Sequence, residues 1–241
     1  MSRSQPEQHH TNPATRWYEW DGENGALRYY DRDSKTNIGV PLPFTFLLLD
    51  QLGSVRGWDD ASQSGIYSNE VRDTRAEPMV VKSFKGGILA EGIYKDIKAT
   101  VNAAGGKFTA SLYLAAKIDG ELRLAALRFK GAGLMGWMEF SKAHRAELYT
   151  KAVTVAGYTE GKKGKVVFRT PTFKLVATTP ETDFVAKGLD AVLQVYLNHY
   201  LKRNTVERVE TAHVRDEDLI PPPSDADAPE AVELTDSDIP F

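Results

Sequence analysis

Apolar and polar positions change their period several times along the chain, and each change marks an element. Phe44-Thr-Phe-Leu-Leu-Leu is apolar at almost every position, which predicts a strand buried on both faces. The run over 42–55 continues past Gly53 into Ser54-Val-Arg-Gly-Trp58, where Ser54, Arg56 and Trp58 share one face. Asp59-Asp-Ala-Ser-Gln-Ser-Gly65 is a loop by its turn residues, and shorter strands are expected at about 66–72 and 79–84. Residues 92–104 fit an alternating strand and also a helical stripe through Ile93, Ile97 and Val101. The Ala103-Ala-Gly-Gly106 ending favours a short helix stopped by glycine.

The 107–118 strand has the clearest period. Phe108, Ala110, Leu112, Leu114, Ala116 and Ile118 fall on one face. Lys107, Thr109, Ser111, Tyr113, Ala115 and Lys117 fall on the other. Asp119-Gly120 is a two-residue hairpin turn, and Glu121 to Phe129 is the returning strand. Leu134 to about Leu148 reads as helix, with Leu134, Trp137, Met138 and Ser141 along one side. Strands at 149–158 and 165–177 flank Thr159-Glu-Gly-Lys-Lys-Gly-Lys165, a hairpin with a basic tip. Thr179 caps and Pro180 opens a long helix to about Arg203, with a stripe of Val185, Leu189, Val192 and Tyr196.

Strand, strand, strand, helix, strand, strand is the order of an OB-fold, a five-stranded barrel that often binds oligonucleotides. The expected fold is therefore mainly β with α. It has that barrel, appended helices and a β-hairpin over 16–205, between a disordered arm at 1–15 and a disordered acidic tail at 206–241. Pro221-Pro-Pro223 marks the start of the low-complexity part of the tail.

Charge sharpens this picture. The net charge is −3, yet residues 216–241 hold nine acids and no Lys or Arg. That leaves 24 acids against 30 bases in 1–215, a body of about +6. A cationic body with an anionic tail suits a nucleic-acid binder, although a solvated acidic terminus without a role has the same composition. There is no cysteine, so thiolate metal sites and cysteine nucleophiles are excluded. Residues 1–15 lack the apolar core of a signal peptide, and the longest apolar run is far too short to span a bilayer, so a cytoplasmic protein is expected.

Candidate chemistry follows from the strand faces. Tyr113 stands between small polar residues, with Lys107 and Lys117 at the strand's ends. A ring that stacks on any base and cations that neutralise phosphates suit single-stranded nucleic acid. Trp58 beside Arg56 is a second aromatic–cation pair, and Lys82 with Phe84 a third. Lys162, Lys163 and Lys165 at the hairpin tip are positioned to grip phosphate or simply to be solvated. Each ring alone is as readily explained by packing under a loop or helix; the set favours binding.

An enzyme should show convergent catalytic groups. The five histidines are scattered, and Gly86-Gly87 and Gly105-Gly106 lack the spacing of a phosphate-binding loop. Asp59-Asp60 is read as a solvated turn before a magnesium site. The expectation is a non-enzyme with no cofactor. A single-strand annealing or recombination-mediator protein, or an RNA binder, is the alternative, and a magnesium-dependent nuclease or polymerase accessory enzyme a distant one.

Asp236-Ser-Asp-Ile-Pro-Phe241 resembles the C-terminal tip of bacterial single-stranded DNA-binding proteins. That resemblance implies partner binding through Asp236, Asp238, Ile239, Pro240 and Phe241, with the Phe and its carboxylate entering an apolar pocket rimmed by bases on replication and repair proteins. Phe46-Leu-Leu-Leu-Asp50, Ser68-Asn-Glu-Val71, Tyr94-Lys-Asp-Ile-Lys98 and Gly131-Ala-Gly-Leu134 look like single-stranded DNA-binding proteins of tailed bacteriophages. This likeness spans about 40–145 and implies an OB-fold body and a role in replication or recombination.

Overall fold

A computed structural model describes residues 11–203. The described chain is mainly β, with three helices on one open sheet. Three short strands come first: β1 (Trp17–Asp21), β2 (Ala26–Asp31) and β3 (Thr36–Val40). β4 (Phe44–Asp59), β5 (Ser64–Ser68), β6 (Met79–Ser83) and β7 (Gly87–Gly92) follow, then α1 (Tyr94–Ala103). After β8 (Gly106–Ile118) and β9 (Glu121–Phe129) come α2 (Gly131–Ala143), β10 (Ala152–Lys163), β11 (Val166–Val176) and α3 (Pro180–Lys202). No helix among the described residues is long and apolar enough to cross a membrane.

Nine strands of the eleven-stranded sheet run β3-β2-β1-β9-β8-β4-β5-β6-β7, and the β10–β11 hairpin joins it through β4. β4 is its spine. β8 lies along one edge, and the other edge takes β10 at Phe44–Leu47 and β5 at Arg56–Asp59. The five-stranded barrel expected from the element order is not formed. The β9 edge is taken by β1, running parallel to it, and β2 and β3 extend the sheet further. The opposite edge ends at β7, which pairs with β6 and packs against α1.

A bulge between Leu48 and Asp50 explains the continuous apolar run in β4. Before it, Phe44, Phe46 and Leu48 enter the main core; after it, the parity switches and Val55 does so. The core face of β8 carries Phe108, Ala110, Leu112, Leu114, Ala116 and Ile118, as its alternation predicts. Against this face sit Phe129 and Trp137, stacked at 5.9 Å, with Phe173 edge-on to both. Trp137 Nε1 donates to Gln51 Oε1 at 2.9 Å, satisfying two polar groups the core would otherwise orphan. α2 reaches β11 through Gly136, where a Cβ would stand 2.7 Å from the Pro171 carbonyl oxygen.

α3 begins as its sequence predicts. Thr179 Oγ1 accepts from the Thr182 amide at 3.3 Å, with Pro180 in the first turn. Glu181 and Asp183 in the first turn, and His199 and Lys202 in the last, complement the helix dipole. Its buried line is Ala186, Leu193, Leu197 and Tyr200, with Leu189 and Tyr196 partly covered. The expected stripe through Val185 and Val192 is thus rotated, since both of those residues are exposed. Of the arm expected at 1–15, residues 14 and 15 pack on the sheet, and residues 1–10 lie outside the described residues. Thr15 donates to the Leu124 carbonyl from both its amide and its hydroxyl, and Ala14 joins the cluster under α3.

Candidate nucleic-acid interface

The face of the sheet opposite the main core has two halves. Directly paired residues on antiparallel strands point to the same side, so register alone assembles this face. In one half, Leu52, Tyr113, Leu124, Ala126 and Trp17 are roofed by Leu193 and Leu197 of α3. In the other, Lys107 pairs with Arg56, Arg56 with Tyr67, and Tyr67 with Lys82. Four strands thus present Lys107–Arg56–Tyr67–Lys82 as one row. With strands about 4.8 Å apart, it spans roughly 14 Å.

A second row lies one step along. Trp58 pairs with Gly65, and the Phe84 amide donates to the Gly65 carbonyl at 3.0 Å, continuing the β5–β6 register past the end of β6. On the other side of Trp58 lies Gly105 (φ 91°), where a Cβ would stand 2.2 Å from the Trp58 carbonyl oxygen. Gly105–Trp58–Gly65–Phe84 therefore alternates glycine with aromatic. The glycines place no side chain directly opposite Trp58 on either strand, and Phe84 is 46% exposed. Arg56, Trp58, Lys82 and Lys107 are half-buried. Beyond the basic row the face closes over, since the next pair, Ser54 and Thr109, is buried.

Tyr113 does not belong to this surface. Alternation puts it on the correct face, but α3 covers it completely, and its ring stands edge-on to Trp17 at 5.9 Å. Its hydroxyl donates to Glu70 Oε2 at 2.7 Å and accepts from Asn12 Nδ2 at 2.9 Å. Burial, and then the Glu70 carboxylate, push the phenol well above its usual range, so it remains a donor. No face of the ring is open to a base. The expectation that Tyr113 stacks on nucleic acid is corrected accordingly.

Lys117 is exposed at the β8–β9 turn, ten residues from Lys107 along β8, or about 33 Å of strand. The two lysines therefore do not flank one site. The basic hairpin is also separate. β10 leaves the sheet at Phe44, twelve residues from Arg56 along β4, and runs on to an exposed tip with Lys162, Lys163 and Lys165 around Gly164 (φ 62°). The structure joins neither group to the row. The sequence reading lacked Tyr67. A strand at 66–72 contained it, but only the register with Arg56 and Lys82 shows that it sits between two cations.

At the C-terminal end of α1, next to Gly105, opens a cleft of about 780 Å³, lined by Asp59, Asp60, Ser62, Leu89, Asn102 and Gly105 among others. Asp59 organises its rim. Its carboxylate accepts from Ser62 Oγ at 2.6 Å and from the Ala61 amide at 3.0 Å. The Ser62 bond is the main reason its pKa is lowered. Among the described residues no three His, Asp or Glu side chains are grouped to hold a metal ion. Asp236, Asp238, Ile239, Pro240 and Phe241 lie outside the described residues. No family model, curated protein or solved structure matches the chain.

Proposed function

We propose that the protein binds single-stranded DNA without sequence preference across the two rows that join β8, β4, β5 and β6. Lys107, Arg56 and Lys82 neutralise phosphates. Trp58 and Phe84 offer aromatic surface to bases, which every base can stack on, so affinity is insensitive to sequence. The observation that carries this reading is the cross-strand alignment of three cations beside two glycine-spaced rings. The protein holds and shields the strand and does not cut it. Its setting in replication or recombination, and partner recruitment through Asp236–Phe241, rest on the resemblances described in the sequence.

The test is a fluorescence titration of mixed-sequence single strands, the matching duplex and RNA with full-length protein and with Trp58→Ala. Loss of a stacking ring costs about 1–3 kcal/mol, so the variant should bind roughly 5- to 150-fold more weakly. Equal affinity of the wild type for duplex and single strand would overturn the reading.

A further inference from the structure

We propose that α3 pairs with α3 of a second copy of this chain, antiparallel about a two-fold axis near Ala191 and Val192. The helix has two apolar faces, and the sheet uses one of them. The other carries Phe184, Val185, Gly188, Ala191, Val192 and Val195, all exposed, with Phe184 79% and Val192 54% accessible. Positions 184, 188, 191 and 195 are one helical stripe. Single exposed apolar side chains are ordinary on a protein surface; a continuous stripe more than three turns long marks an interface.

Two further features name the occupant. Gly188 sits in the middle of the stripe, where glycine weakens a helix. A Cβ there would meet nothing within 4 Å, and its backbone is not left-handed, so nothing among the described residues calls for glycine. A helix packing closely from outside does. The ends of the stripe are also oppositely charged, with Glu181 and Asp183 at the start and Lys202 at the finish. A second copy running the other way sets Glu181 against Lys202 and opposes the two helix dipoles favourably. In that register Ala191 falls opposite Val192, Gly188 opposite Val195 and Phe184 opposite His199. A self-complementary surface is what a two-fold interface requires. A membrane-seeking helix would instead carry many cations, whereas the exposed side here has Lys187 balanced by nearby acids.

One helix pair is a small interface, so the dimer belongs to the weak class, with Kd of about micromolar or above. Sedimentation of the full-length protein without DNA tests it, independently of the proposed DNA binding. The wild type should show a concentration-dependent monomer–dimer equilibrium, and Val192→Glu should weaken it at least about tenfold. Glu181→Lys should weaken it too, and adding Lys202→Glu should restore it, because the swapped charges meet again. The chain contains no cysteine, so Ala191→Cys is a single probe. On mild oxidation it should form a covalent dimer far faster than Lys165→Cys at the hairpin tip. Thermal unfolding of each variant checks that it is folded. A wild type that stays monomeric, a dimer indifferent to Val192→Glu, a charge swap that fails to restore, or equal cross-linking at both cysteines would each overturn the pairing.

Discussion

The Tyr113 hydroxyl donates to the Glu70 carboxylate at 2.7 Å, with the tyrosine fully buried and Glu70 6% exposed. The second carboxylate oxygen of Glu70 has no hydrogen-bond partner among the described residues, so the phenol is a principal support of a buried acid. Tyr200 closes the same cluster, its hydroxyl accepting from the Glu70 amide at 2.9 Å. A residue whose position on β8 suggested base stacking thus anchors α3 to the sheet. Tyr113→Phe should cost about 1.5–3 kcal/mol in urea unfolding, the range for a hydrogen bond to a charged group. DNA affinity of the folded variant should be unchanged. A stable Tyr113→Phe with weakened DNA binding would return this residue to the interface.

Alkaline pH should lower the stability of the fold through its buried tyrosines. Burial raises the phenols of Tyr113 and Tyr196, and pushes that of Tyr94 up to about 12. The unfolded chain releases these protons near pH 10, while the folded state still holds them. Stability is therefore fully present below about pH 10 and falls as pH rises above it, by about 1.4 kcal/mol per unit for each such tyrosine. For Tyr94 the loss runs from about 10 to about 12. Unfolding free energies measured between about pH 8 and 11.5 should show this decline, and Tyr94→Phe should make it shallower. An identical slope in the variant would contradict the assignment.

How much of this was legible in the sequence depends on whether a feature is local. The bounds of β9, the two faces of β8 and the Thr179–Pro180 start of α3 follow from period, turn and cap, which are written in neighbouring residues. β1 to β3 went unread as short strands, although β1–β2 and β2–β3 are local hairpins; what no neighbouring residue encodes is the parallel pairing of β1 with the distant β9. The same limit hid the fate of Tyr113. Alternation gives its face, but the roof comes from Leu193 and Leu197, eighty residues on. Arg56 and Trp58 were visible as a pair on one strand, while the rows they form depend on register.

The seam between α2 and β11 should be intolerant of a single methyl. A Cβ on Gly136 would stand 2.7 Å from the Pro171 carbonyl oxygen and 2.8 Å from Thr170 Cγ2. The backbone oxygen cannot rotate away, so helix and hairpin must separate. Gly136→Ala should destabilise by about 1–3 kcal/mol despite the better helix propensity of alanine. Gly188→Ala, where a Cβ meets nothing, should leave the unfolding free energy of the monomer unchanged or raise it by up to about 1 kcal/mol. Thermal or urea unfolding of both variants at low protein concentration makes the comparison.

Salt dependence discriminates between the two groups of cations. Each phosphate neutralised on a single strand contributes about −0.7 to the slope of log affinity against log salt. Arg56 and Lys82 flank Tyr67 in the basic row, so removing both by substitution to alanine should lower the magnitude of the slope by about 1.4. Lys162, Lys163 and Lys165 stand at the tip of a hairpin that departs from the far end of β4. Replacing all three removes more charge, yet should leave the slope nearly unchanged if the strand lies across β8, β4, β5 and β6. The nine acids of residues 216–241 add a second handle. Their deletion should raise affinity at low salt, where screening is weakest, and have little effect at high salt. If the hairpin triple variant loses slope while Arg56→Ala/Lys82→Ala keeps it, the strand follows the hairpin, and the rows built around Tyr67 and Gly65 are not the path of the DNA.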